Sequence, residues 1–144
     1  MYEQYTRQAL PSKKYRELLG SALCVFNSNN AFVIENILRT NENNNYDWYM
    51  LIDKESGQLN EPISKTISCK STNNISQLFR KAVEMRNRII HSFQITDSDG
   101  SQLLTTKTKV EKGNKQFKIT EEYLLEFIAL NEELSSALHE FRGF

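Results

Sequence analysis

The chain has 144 residues, 39% hydrophobic and 25% charged, and its 18 basic and 18 acidic side chains cancel. That length suits one domain able to bury about two thirds of its unfolded surface, and the composition is globular rather than disordered. Neutrality and a pI near 6.7 exclude a strong nonspecific nucleic-acid binder while leaving room for a local basic patch, and no apolar run approaches the ~20 residues of a membrane span.

Met1–Arg7 lacks the charged-then-apolar order of a signal peptide, and Cys24 and Cys69 lie far apart with no His nearby. Neither a disulfide framework nor a zinc site is expected, and a reducing cytoplasm is the expected setting.

Residues 1–11 read as a lead-in or a short first helix, with Pro11-Ser12 as a helix start. Lys13–Thr40 reads as one long helix, with Gly20 and Asn27–Asn30 as places for a bend. Its main stripe is Tyr15, Leu18, Leu19, Ala22, Leu23, Phe26, Val33 and Ile37, and apolar character extends well round it. Asn29, Asn30 and Asn36 fall inside that arc, where buried amides need partners. They either fix helix register or, for Asn29 and Asn30, help to shape a site. Asn41–Asn45 reads as a turn. Tyr46–Ile52 reads as a short helix or strand whose Tyr46, Trp48 and Tyr49 pack under a loop or stack on bases, and Asp53–Pro62 reads as a loop before the apolar pair Ile63 and Ile67.

From Ser71 a second long helix is expected, with Asn74 and Gln77 resembling a capping box and an end near Gln94–Thr96. At about 100° per residue, Ile75, Leu78, Phe79, Ala82, Met85, Ile89, Ile90 and Phe93 share one stripe. Arg86 falls near the middle of it. A guanidinium cannot be neutralised, so it either holds a carboxylate from another helix or lines a cleft. Asn87 and His91, four residues apart, stack on the edge of the same stripe.

After the turn Asp97–Gly100 the period changes to two. Gln102–Ile119 reads as a two-stranded hairpin bearing Lys107, Lys109, Lys112, Lys115 and Lys118, either a solubilising edge or a basic arm for RNA phosphates. Thr120 caps a last helix striped by Tyr123, Phe127, Leu130, Leu134, Leu138 and Phe141, with His139 on the opposite face. No P-loop, dinucleotide fingerprint or metal-ligand spacing is present, and no cofactor is expected.

Arg86-Asn87-Arg88-Ile89-Ile90-His91 resembles the signature of HEPN domains, an Arg followed after four to six residues by His, with a polar residue after the Arg. The resemblance implies a mainly α fold: residues 1–144 as one HEPN-like antiparallel helical bundle, with the hairpin at about 102–119 inserted before the last helix. It also implies a metal-independent endoribonuclease whose composite site forms where two motifs meet in a homodimer. It suggests phage defence, toxin–antitoxin or stress response, with an antitoxin or regulatory protein as a possible partner. Some HEPN toxins are silenced on a Tyr two residues after the His. Here that position is Phe93, which has no hydroxyl to modify.

The chemistry suits the residues. RNA carries its own nucleophile, so an enzyme needs a proton carrier and a cation for the phosphorane. Imidazole titrates near ~6.5, and guanidinium matches phosphate oxygens. His91 and Arg86 are the candidate pair, Asn87 holds the phosphate or orients His91, and Arg88, Asn29, Asn30, Lys107 and Lys109 are candidate RNA contacts. On an ideal helix Arg86 and His91 stand about 140° apart, which favours two motifs apposed about a twofold axis. Two rivals share the same pattern: a non-catalytic interaction module, and a nucleotide-binding helical regulator.

Overall fold

The computed structural model describes residues 3–41, 45–70 and 74–143. Its elements run α1 (Lys13–Thr40), α2 (Trp48–Ile52), a 3-10 turn (Ser56–Leu59), α3 (Asn60–Lys65), α4 (Ile67–Lys70) and α5 (Ile75–Ile90). Strands β1 (Phe93–Thr96) and β2 (Gln102–Lys107), a 3-10 turn (Val110–Lys112), β3 (Gln116–Ile119) and α6 (Glu121–Arg142) follow. The protein is mainly helical with one small antiparallel sheet. Among the described residues, no helix is long and apolar enough to cross a membrane.

The long helices begin where their capping chemistry dictates. The Ser12 hydroxyl accepts the Tyr15 N–H at 3.1 Å, and the Thr120 hydroxyl accepts the Tyr123 N–H at 3.0 Å, each matching a donor that the first turn leaves unpaired. Glu121 and Glu122 then suit the positive end of α6.

Three aromatic rings sit at the centre. Phe26 of α1 stacks on Phe79 of α5 (centroids 6.3 Å apart) and on Phe127 of α6 (6.0 Å), and all three are fully buried. Each contributes about 1.5–3 kcal/mol by leaving water. Ile63 and Ile67 close the core from α3 and α4. The amide of Asn29 donates to the backbone oxygen of Asn131 (2.8 Å) and to its side-chain oxygen (3.0 Å), and Asn131 donates to Phe127 O. This buried pair fixes α1 against α6. Asn36, also buried, turns back to its own helix at Phe32 O.

Several sequence expectations need correction. The motif helix stops at Ile90, with His91 as its C-cap, and Phe93–Thr96 is a strand. Phe-Gln-Ile-Thr before the turn mirrors Gln-Leu-Leu-Thr after it, and Phe93 pairs with Thr105 while Thr96 pairs with Gln102. The turn closes at Gly100, whose φ of 85° suits a residue without Cβ. The sheet therefore has three strands in the order β1-β2-β3, not two, and Phe93 is 55% exposed instead of lying on the helical stripe. Val110, within the segment read as a hairpin, sits in the 3-10 turn. Asp53–Pro62, read as loop, contains a 3-10 turn and the start of α3. Asn74 precedes α5 without a side-chain capping bond. Glu42–Asn44 and Ser71–Asn73, expected as turn and helix start, lie outside the described residues.

A buried phenol ties two strands of the sheet to the bundle. Tyr15 OH donates to Ile119 O of β3 (2.5 Å) and accepts the Leu104 N–H of β2 (3.2 Å). Burial raises the Tyr15 pKa, against the lowering effect of the Leu104 bond, so the hydroxyl stays protonated and able to donate.

Candidate functional site

The motif opens on a cleft of about 550 Å³, bounded by the C-terminal half of α5, the middle of α1 and the segment between α2 and α3. Arg86, Asn87, Ile90 and His91 line it from α5, Asn27 and Asn30 from α1, and Ile52 and Lys54 to Gly57 supply the third wall. Arg86 and His91 both border this space although an ideal helix sets them about 140° apart. His91 is no longer helical in ψ (27°), and its N–H bonds back to Asn87 O at 2.9 Å.

Arg86 is half-buried. Its Cζ lies 5.0 Å from the centre of the Phe26 ring, within cation–π range. Its Nε is buried with no hydrogen-bond partner among the described residues. Burial lowers the pKa of the guanidinium, and the negative charge of Glu55 opposes that shift. No carboxylate clamps Arg86 among the described residues. The expectation that an Arg on an apolar stripe either holds an acid or lines a cleft resolves here toward the cleft.

The third wall is held in place by side chains. Ser56, itself buried, donates its hydroxyl to Asn30 Oδ1 at 2.8 Å, and Leu59 is fully buried beneath it. The Glu55 N–H meets Gln58 Oε1 at 3.2 Å. Lys54 and Glu55 therefore face the motif from a braced turn.

Of the residues expected at the site, Arg86, Asn87, His91 and Asn30 share the cleft. Asn29 does not, because its amide is spent on Asn131. Arg88 points to the other side of α5, where its Nη1 donates to Lys107 O at 2.6 Å. Lys109 meets Glu84 at 3.1 Å, and Lys107 donates to Asn114. Arg88 and Lys109 line a separate cavity of about 170 Å³ floored by Phe117 and Tyr123. Tyr49 is 80% exposed and Trp48 about a third exposed, and neither lines the cleft. His139 lies elsewhere, its ring 4.6 Å from that of Phe32.

Lys54, Glu55 and Ser56 escaped the sequence reading. They lie in a short polar stretch without periodicity, and only their position beside α5 gives them meaning. Cys24 and Cys69 are exposed and free. Among the described residues, no group of three or more His, Cys, Asp or Glu is placed to hold a metal ion. Chemically, the cleft offers a guanidinium, an ammonium and amides for an anion, and an imidazole and a carboxylate for proton transfer. Compared with known family models, curated proteins and solved structures, the chain has no significant match.

Proposed function

We propose that the chain is a metal-independent endoribonuclease of the HEPN type, cutting RNA by attack of a ribose 2′-hydroxyl on the adjacent phosphate. The observation that supports this reading is the meeting of Arg86, Asn87 and His91 on one polar cleft, with the guanidinium clear of any acid clamp among the described residues. Arg86 neutralises the phosphorane, Asn87 holds a phosphate oxygen or orients the imidazole, and His91 carries a proton. The products are a 2′,3′-cyclic phosphate and a 5′-hydroxyl.

A homodimer would bring a second Arg and His to the same phosphate. Ile90 and Phe93, about half exposed on either side of His91, offer apolar surface for that contact. Phage defence, toxin–antitoxin and stress response are the roles this reading suggests, with a protein partner restraining the activity. The same exposed pair favours the rival reading, a non-catalytic interaction module.

Incubating wild type, R86A and H91A with total RNA in EDTA, and mapping fragment ends, separates the two. Both variants are expected to lose about 100-fold or more in cleavage. H91A should melt and dimerise as wild type does. Cleavage retained in H91A removes His91 from the mechanism, and no cleavage by wild type favours the interaction module.

A further inference from the structure

Cutting RNA through its 2′-hydroxyl moves two protons: one leaves the 2′-oxygen and one joins the departing 5′-oxygen. The cleft holds one imidazole. A second proton carrier is required, and a second copy of the chain is one source. The cleft contains another. Among the described residues lining it, Glu55 is the sole carboxylate.

Glu55 is held rather than loose. It immediately precedes the 3-10 turn Ser56–Leu59, which is tied to α1 through Ser56 and Asn30 and anchored by the buried Leu59. Its N–H donates to Gln58 Oε1, and its side chain turns back toward the Gln58 N–H in a capping box. Its side chain makes no ion pair among the described residues, yet its charge reaches Arg86 across the cleft. The Arg86 guanidinium and the carboxylate thus flank a common space, with His91 on the same wall as Arg86. A phosphate drawn to the cation would sit between a base and an acid.

We propose that Glu55 is the proton acceptor in RNA cleavage, working with His91 inside a single protomer. This rests on the RNA-cutting reading above and changes where its second proton carrier comes from. The Glu55 carboxylate takes the proton of the 2′-hydroxyl as O2′ bonds to phosphorus. The bond from phosphorus to O5′ breaks. The His91 imidazolium gives its proton to O5′, leaving a 2′,3′-cyclic phosphate and a 5′-hydroxyl. Glu55 then returns its proton to solvent, and His91 regains one.

The test uses full-length wild type, E55Q, E55D and H91A with a fluorogenic oligoribonucleotide in EDTA, at stepped pH. Glu55 is exposed, so E55Q is expected to melt with the wild type. Wild-type kcat/KM should fall on both sides of an optimum, because Glu55 must be ionised and His91 protonated. E55Q should lose about 100-fold or more, and the acid limb of its profile should disappear. E55D should restore part of the rate. Mixing inactive E55Q with inactive H91A should restore nothing, since every cleft still lacks one carrier.

A near-wild-type rate in E55Q with the acid limb intact overturns the proposal and makes Glu55 a counter-charge to Arg86. Recovery on mixing overturns it too, by placing the two carriers on different copies. In both cases a dead H91A leaves the RNA-cutting reading standing. A wild type that does not cut removes both, and an H91A that still cuts removes His91 from the mechanism and this proposal with it.

Discussion

Replacing Arg86 by Met separates the cost of the guanidinium from the packing of its stem. The buried Nε has no partner among the described residues. A buried polar group left unsatisfied costs about 1–3 kcal/mol. The contact with Phe26 offsets about 0.5–2 kcal/mol of that. Met keeps the methylene stem and sets a sulfur against the same ring, worth about 0.3–1.5 kcal/mol. The balance favours Met by about 1–2 kcal/mol, a rise in Tm of roughly 3–6 °C for a domain of this size. Calorimetry checks the stability, and the RNA assay checks the function, which R86M should lose. A fall in Tm of similar size would refute the reasoning. It would mean that Arg86 is one half of a structural ion pair, whose breaking leaves an uncompensated charge. A group that weakens the fold and is needed by the site is the pattern expected where function is favoured over stability.

Two further outcomes follow from the packing. Asn29→Ala removes both bonds to Asn131 and leaves a buried oxygen unmatched, so it should destabilise by about 2–4 kcal/mol in urea unfolding while leaving the cleavage rate unchanged. Lost cleavage at unchanged stability would place Asn29 in the site after all. Burial pushes the Tyr123 phenol up to about 12, with nearby Arg88 opposing the rise. An acid whose pKa is higher folded than unfolded adds stability that is complete below the unfolded value, about 10, and is lost as pH climbs through the folded one. Melting temperature should therefore drop between those limits, and Tyr123→Phe should flatten part of the drop. An identical alkaline profile in the variant rules Tyr123 out as its cause.

The helical frame was legible because its signals are local. Ser12 and Thr120 carry capping hydroxyls, and α1, α5 and α6 carry long 3.6-residue stripes. The oddity of Arg86 was legible for the same reason: one charge interrupts a periodic face. The sheet was half legible. Lys107–Lys115 marks the second hairpin, but Phe93–Thr96 follows the helical stripe without a break in composition, and only pairing with β2 makes it a strand. Asn29 and Asn30 looked equivalent in sequence. They differ by one helical step, which turns one toward α6 and the other toward the cleft. Glu55 was illegible because nothing within its own segment relates it to residues thirty positions on.

The imidazole stands at a joint. Arg86 and Asn87 belong to a rigid rod, whereas His91 occupies the residue where the rod ends, two positions before β1 begins. The His91 N–H still closes a helical bond to Asn87 O, and the chain leaves the helix just beyond it. A spacer lengthened by a residue or two could be absorbed there, by another partial turn or a looser exit, with no core residue displaced. The variable gap in the resembled signature suits a His at such a boundary better than one in mid-helix.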